Sequence, residues 1–301
     1  MKANKMIFYS LLISIPVLHF LIFYIYVNFN SIILSLKEYE LSAMDGYVGH
    51  FVWFKNFGEA WKALMTRSYM FKNSFIFLAT DVFIVTPLAL LFSFYMYKKA
   101  ALSGFFKVML FMPQLLSGVI LGLLYRYVTT DVYLWFAEKV GIKATGGLLT
   151  SVKTQMGAMI FFNVFMGFGV NVLLFVGAMS GVNVSLIESA ELDGATPLQV
   201  LWHIVLPLIF STIATVVIIY ISHVFTNQAN LYTLLGNGAG KSSTIGYFLY
   251  VQALDSKLVA PRDNLLSYPV LSAMGLILTA IVLPVTMILR HLLDKFGPSV
   301  D

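Results

Sequence analysis

The sequence predicts an all-α integral membrane protein that crosses the bilayer six times. Of its 301 residues, 59% are hydrophobic and only 11% are charged, and the mean hydropathy is +0.85. Soluble domains carry about 25% charged residues, so most of this chain needs lipid as its solvent. Six apolar stretches reach the length of about 20 residues that a helix needs to cross a bilayer.

These six stretches are predicted to be transmembrane helices within a single transmembrane domain, residues 1–301. They span residues 6–34, 73–97, 105–128, 154–181, 204–228 and 267–289. The first stretch follows two lysines but is too long for the apolar part of a signal peptide, so we expect a retained first helix. That helix, 6–34, is expected to be peripheral to a core at about 70–293.

Loops are predicted between the spans, at residues 37–72, 98–107, 129–153, 185–207 and 230–264. The fourth contains helix signals. Ser185 and Glu188 have the spacing of a capping box, and Gly194 suits the left-handed conformation that ends a helix. Thr196-Pro197 is an N-cap followed by proline at the first helical position. The residues predict two short helices joined at a glycine, with a plain solvated turn as the alternative.

The string from Glu188 to Pro207, ESAELDGATPLQVLWHIVLP, resembles the cytoplasmic loop of ABC-type importer permeases. In that family the loop contains a helix that docks into a separate ATPase subunit. The resemblance therefore implies an ATPase-coupling role for loop 185–207. The residues that fill the family pattern are Glu188, Ala190, Asp193, Gly194, Ile204, Leu206 and Pro207, with Ser189 and Leu201 as departures.

Softer patterns resemble carbohydrate permeases, in particular the larger subunit of the maltose type. They include Ser103-Gly-Phe-Phe-Lys and the later Phe-Met-Pro-Gln, and an Asn-rich stretch from Asn227 to Gly240 that is expected to form an outer turn near the binding protein. The resemblance implies an importer of sugars or oligosaccharides in which this chain forms half of the translocation path. The implied partners are a second permease in a heterodimer, two ATPase subunits, an extracellular solute-binding protein and membrane lipid.

The same resemblance implies a transport subunit, not an enzyme, with no catalytic residues and no cofactor of its own, because the partner ATPases bind ATP and Mg²⁺. It implies a bacterial cell membrane location with both termini in the cytoplasm. The distribution of Lys and Arg does not by itself support this orientation. It follows from the family, whose coupling loop faces cytoplasmic ATP.

Polar groups within spans usually face the interior of a helix bundle, which predicts where the substrate passes. Asn163, Gly167, Val170 and Asn171 share one helical face. The resemblance implies a substrate path on this face, with Val170 in place of a tyrosine, and on the next helix at Ile221, Val224 and Phe225. The alternative for the glycines, favoured at Gly177 and Gly181, is close helix packing.

Asp81 is the one acidic residue well inside a predicted span. A structural role is favoured over a proton relay, since it has no basic partner. An importer of a non-sugar solute remains an alternative, as does an ion-coupled secondary carrier, although inverted repeats are not evident.

Several other classes of function are disfavoured. The chain has no cysteine, its five histidines lack metal-ligand spacing, and its net charge of +5 includes no basic run for nucleic acid. The segment from Gly236 to Ser242 resembles a phosphate-binding loop but lacks the required first glycine, because Leu235 occupies that position.

Overall fold

The computed structural model describes residues 2–42, 46–144, 146–259 and 265–297. In chain order, its main elements are α1 (Tyr9–Ser35), β1 (Lys37–Ser42), β2 (Gly46–Phe51), α2 (Lys55–Thr66), α3 (Tyr69–Tyr97), α4 (Ser103–Leu115), α5 (Gly118–Lys139), α6 (Val152–Met179), α7 (Val184–Leu192), α8 (Pro197–Leu208), α9 (Phe210–Ser222), α10 (Leu231–Leu235), α11 (Ile245–Asp255) and α12 (Tyr268–Phe296).

The predicted fold class is confirmed. Within the described ranges, α1, α3, α6 and α12 are each long and apolar enough to cross a membrane unbroken. Two further spans are bent pairs, α4 with α5 and α8 with α9, which brings the number to six if each pair is one span. No side chain in the apolar window of α1 is buried, which suits contact with lipid.

The bent pairs correct two predicted spans. The stretch at 105–128 is not one straight helix, because α4 and α5 meet at 99° where Leu116 is extended. The helix then continues to Lys139, through part of the predicted loop 129–153. The stretch at 204–228 bends by 71° at Ile209 and its helix ends at Ser222. Pro207 lies two residues before this bend and has no N–H to donate to the helical ladder.

The described residues form two compact units. One contains residues up to Ser68 together with Val251–Ile281, and the other contains Tyr69–Tyr250 and the chain from Val282. A single permease domain over 1–301 therefore stays a proposal. In the first unit, the predicted loop 37–72 is wrong in part, because it contains α2 and an antiparallel pairing of β1 with β2. The Asn56 amide of α2 donates to the backbone carbonyls of Ser35 and Lys37, both at 2.8 Å. These bonds join α2 to the end of α1 and the start of β1.

The core of the second unit lies between α3, α6 and α8. Phe175 and Met179 of α6 are fully buried against Val200 of α8. Ser93 of α3 donates a hydrogen bond of 2.9 Å to the Val172 carbonyl, which joins α3 to α6. Such side-chain hydrogen bonds between helices satisfy polar groups that lipid cannot.

The chain after α9 also corrects a prediction, since the loop 230–264 contains α10 and α11, while 260–264 lie outside the described residues. The Asn73 amide donates to the backbone carbonyls of Lys241 and Ser243, at 2.9 and 2.8 Å. Ser242 donates to the side chain of Gln155 at 2.7 Å. The end of the glycine-rich segment therefore packs against α3 and α6, with Ser242 and Ser243 buried, while Gly238 and Gly240 stay exposed.

Candidate functional site

The first half of the candidate coupling loop is α7, and it begins earlier than predicted. Its N-cap is Asn183, whose side-chain oxygen accepts from the backbone N–H of Ser185 at 3.0 Å. The predicted capping box from Ser185 to Glu188 is therefore wrong. Asparagine caps a helix as well as serine does, and it places Ser185 inside the first turn.

Gly194 ends α7 in the left-handed conformation that the sequence predicts, with a φ of +83°. The N–H of Ala195 donates to the Ala190 carbonyl at 2.9 Å, and the N–H of Gly194 donates to the Glu191 carbonyl at 3.1 Å. This pair of hydrogen bonds is a Schellman motif, which satisfies the last free carbonyls of a helix. Residues with a Cβ rarely adopt this backbone conformation.

The second half of the loop is α8, and the predicted start at Thr196-Pro197 is confirmed. The Thr196 hydroxyl accepts from the Gln199 N–H at 3.4 Å, and the Gln199 side chain accepts from the Thr196 N–H at 2.8 Å. This reciprocal capping box fixes the direction of α8 immediately after the turn at Gly194. We call residues 183–208, which comprise both helices and this turn, the elbow.

The elbow is anchored on one side and open on the other. Ile187 of α7 and Val200 of α8 are buried in the core, and Lys98 forms an ion pair with Glu191. In contrast, Leu192 is 89% exposed and Trp202 is 62% exposed. A fixed backbone that presents exposed apolar side chains is typical of an interaction surface.

The residues that fill the family pattern divide between these two sides. Glu188, Asp193 and Gly194 are exposed, while the others are partly buried. The partly buried residues are Ala190, Ile204, Leu206 and Pro207. The structure thus places all seven on the elbow, and their role in ATPase coupling stays a prediction.

A cavity of about 440 Å³ lies against the middle of α6. All four residues proposed for the substrate path on this helix line it, namely Asn163, Gly167, Val170 and Asn171. A Cβ added at Gly167 would meet no atom within 4 Å, so this glycine leaves open space. The same holds at Gly177, and at Gly181 the nearest atom is the Ala178 carbonyl oxygen at 3.4 Å. The close packing predicted at Gly177 and Gly181 is therefore not made within the described chain. Close packing occurs instead at Gly169, where a Cβ would overlap the Leu110 carbonyl of α4.

Asn163 makes hydrogen bonds within the chain. Its amide nitrogen donates to the Ala229 carbonyl at 2.6 Å, and its oxygen accepts from the Asn230 side chain at 3.2 Å. Ala229 and Asn230 both have positive φ, at 52° and 55°. Asn163 therefore holds a strained turn at the cavity.

The proposed path on the next helix is assembled differently from the prediction. The helix α9 ends at Ser222, so its face does not extend to Val224 and Phe225. Ile221 lines neither the cavity of about 440 Å³ nor the one beside it. Val224 lines a neighbouring cavity of about 310 Å³. Phe225 is buried against Phe71 and Phe75, with ring centroids 5.5 and 5.8 Å apart. Tyr220, which no sequence pattern singled out, is the aromatic residue of α9 that lines the cavity of about 440 Å³.

Other polar side chains on the cavity wall come from segments for which the sequence predicts no place in the substrate path. They are Asp81 of α3, Gln114 of α4, and Asn227 and Asn230 after α9. The available signal was the presence of amides in otherwise apolar stretches. Over the described part of the chain, no group of three or more His, Asp or Glu side chains could hold a metal ion.

Comparison with known proteins identifies the family. The binding-protein-dependent transport system inner membrane component family matches residues 85–300. The arabinooligosaccharides transport system permease protein AraP of Bacillus subtilis (strain 168) is 26% identical over 93% of this chain and 86% of its own. The multiple sugar-binding transport system permease protein MsmF of Streptococcus mutans serotype c (strain ATCC 700610 / UA159) is also 26% identical, over 64% of each chain.

A solved structure shares the fold. A chain in the crystal structure of a bacterial alginate ABC transporter, in complex with an alginate pentasaccharide-bound periplasmic protein, superimposes with a TM-score of 0.78. The two chains are 18% identical, and the match covers 97% of this chain and 96% of the other. With its apolar helices and this family match, the chain is a multi-pass membrane protein that belongs to the binding-protein-dependent transport system inner membrane component family.

Proposed function

We propose that this chain is a transmembrane permease subunit of an ATP-driven importer of sugars or oligosaccharides. It forms half of the translocation path and couples to ATPase subunits through loop 185–207. The names of its relatives AraP and MsmF support the carbohydrate class. The cavity supports it chemically, because amides both donate to and accept from hydroxyl groups.

The observation that carries the coupling role is the direct connection between cavity and elbow. The elbow follows α6, which carries Asn163 and Asn171, and precedes α9, which carries Tyr220. From Asn171 to the end of α6 at Met179 the chain is continuous helix, with a rise of about 1.5 Å per residue, so the cavity and the elbow are joined by one regular element. Movement of the elbow by a partner therefore acts on both helices that line the cavity.

The proposed assembly contains a second permease, two ATPase subunits and an extracellular solute-binding protein. ATP and Mg²⁺ bind to the ATPases, so this chain needs no cofactor and is not itself an enzyme. The elbow faces the cytoplasm, as do both termini, in a bacterial cell membrane. ATP binding must favour one state of the path over another for the cavity to open to alternate sides.

Reconstituted uptake tests this proposal. The four kinds of subunit are assembled in proteoliposomes with ATP trapped inside, and uptake is measured for a panel of radiolabelled saccharides and non-sugar solutes. We expect ATP-dependent uptake of a saccharide that requires the binding protein. Uptake that follows an ion gradient without ATP would instead identify a secondary carrier, and uptake of only non-sugar solutes would overturn the carbohydrate class.

A further inference from the structure

The cavity beside α6 has an uneven charge. Its wall contains the amide side chains of Gln114, Asn163, Asn171, Asn227 and Asn230. It also contains Asp81, and among the described residues that line this cavity there is no lysine, arginine or histidine. The wall that this chain supplies is therefore rich in hydrogen-bonding groups and carries a single negative charge.

The Asp81 carboxylate is available to a molecule in the cavity. The backbone carbonyl of Asp81 accepts from Thr86 at 2.9 Å, but in the described ranges its carboxylate has no ion pair and no hydrogen bond. Asp81 also lines the neighbouring cavity of about 310 Å³, together with His223, whose ring nitrogen lies 3.2 Å from the Thr226 hydroxyl. The alternative role for a carboxylate in a span is a structural ion pair, and within the described chain Asp81 does not form one.

Two neighbours place the carboxylate close to the middle of α6. Tyr220 of α9 and Asn171 of α6 line the same cavity as Asp81. The amide nitrogen of Asn171 donates to the Gly167 carbonyl at 2.8 Å, which leaves its oxygen directed away from that bond. Asp81, Tyr220 and Asn171 therefore form one polar patch on the cavity wall.

A carboxylate in such a patch discriminates between solutes by charge. It accepts strong hydrogen bonds from the hydroxyl groups of a saccharide, since bonds to an ionised acceptor are stronger than neutral ones. It repels a second carboxylate, and at separations of a few Å under partial burial the repulsion is large compared with thermal energy. Charges in membrane spans mark substrate pathways more often than chance predicts.

We propose that Asp81 is a specificity-determining residue of the translocation path, which favours uncharged saccharides and disfavours saccharides that carry carboxylates. This inference rests on the proposed function, because it concerns the same cavity. It adds the charge class of the substrate and names the side chain that selects it.

The first test measures the charge in the cavity without a substrate. The chain contains no cysteine, so a single introduced thiol reports on one position. Asn171→Cys is introduced into the reconstituted complex and reacted with a cationic and an anionic methanethiosulfonate of similar size. The extent of reaction is read as a mass shift on this chain alone, so that thiols of the partners do not contribute.

We expect the cationic reagent to react faster, and the ratio of the two rates to fall by about tenfold when Asp81→Asn is added. Asp131→Asn is the matched control, because Asp131 is exposed on α5 and lines neither cavity. It should leave the ratio unchanged. An unreactive thiol, or a ratio that Asp81→Asn does not change, would overturn the proposal.

The second test measures selection during transport. A neutral trisaccharide is compared with the same trisaccharide after oxidation of its C6 hydroxymethyl groups to carboxylates. Each is supplied at a concentration that saturates the binding protein, so that selection by that protein does not contribute. We expect the neutral form to enter about tenfold faster in the parent complex, and Asp81→Asn to bring the two rates close together.

The two proposals fail in different ways. Equal rates in the parent complex, or faster entry of the acidic form, would overturn the role of Asp81 and leave a carbohydrate importer. Absence of uptake for every saccharide would overturn the proposed function and this inference with it. ATPase activity of the Asp81→Asn complex, measured in parallel, shows that the variant is assembled.

Discussion

At the scale of single residues, side chains that look alike in sequence have different tasks. Asn163 and Asn171 lie two turns apart on α6 and line the same cavity. The amide of Asn171 donates within its own helix, to the Gly167 carbonyl, whereas Asn163 reaches the turn at Ala229 and Asn230. A residue that holds a turn and a residue that offers free polar atoms respond differently to substitution.

Replacing Asn163 by leucine should reduce both stability and uptake. The substitution keeps the side-chain volume but removes the donor to the Ala229 carbonyl and the acceptor for Asn230. Leaving such groups unpaired costs about 1–3 kcal/mol. Thermal unfolding of the purified complex and uptake are measured together. Loss of uptake with an unchanged unfolding midpoint would mean that Asn163 acts only on the substrate.

A further prediction concerns Gly169, on the same helix. In Gly169→Ala the new Cβ would overlap the backbone carbonyl of Leu110, so α4 and α6 must separate, at a cost of about 1–3 kcal/mol. Gly157→Ala is the control, because a Cβ there meets no atom within 4 Å and alanine favours helix. The yield and unfolding midpoint of the complex should fall for the first variant only. Equal effects of both substitutions would contradict the close contact.

At the scale of elements, the elbow depends on one backbone conformation. Three features fix it: the Asn183 cap, the Schellman motif at Gly194 and the capping box between Thr196 and Gln199. Each is local in sequence, so the elbow keeps its shape when the helices attached to it move. Such a rigid element is suited to pass a displacement from a partner to the membrane.

Gly194→Val should impair coupling, and Gly194→Asn should largely preserve it. Gly194 has a φ of +83°, which a β-branched residue adopts with difficulty and asparagine tolerates. The strain in the valine variant is about 1–2 kcal/mol. ATP-dependent uptake is measured at equal membrane levels, with ligand binding by the external protein as the reference. If both variants lose uptake equally, contact at this position matters, and not its backbone conformation.

At the scale of the whole molecule, the proposed function assigns the substrate path and the coupling loop to this chain and the hydrolysis of ATP to its partners. Its cavity and its elbow lie in one compact unit and share α6. The glycine-rich segment that resembles a phosphate-binding loop is held at its C-terminal end by hydrogen bonds with Asn73 and Gln155. The backbone N–H groups of Gly238, Ala239 and Ser242 already donate within the chain, whereas phosphate-binding loops present such groups to the ligand.

The isolated chain should accordingly hydrolyse no ATP. Purified alone in detergent, it is expected to release no phosphate above the background of a mock purification, while the assembled complex hydrolyses ATP and responds to the loaded binding protein. Phosphate release that co-purifies with this chain through further chromatography, in the absence of any ATPase subunit, would contradict the proposed division of labour.

The sequence by itself determined the membrane class, the approximate position of the spans and the two helix boundaries at Gly194 and Thr196. These features depend on hydropathy over one window or on hydrogen bonds between residues a few positions apart. The family pattern on the elbow is local for the same reason. The sequence does not determine the start of α7, because Asn183 and Ser185 are both good N-cap residues. Which of the two caps the helix depends on the chain that precedes them.

Only the tertiary structure decided the bends at Leu116 and Ile209 and the composition of the cavity wall. Asp81, Gln114 and Tyr220 meet the middle of α6 from three separate helices, and no local pattern records which faces will converge. The burial of Phe225 and the partners of Asn163 likewise depend on groups more than 60 positions away. Local rules fix where helices begin and end, whereas packing between helices fixes which polar groups share a cavity.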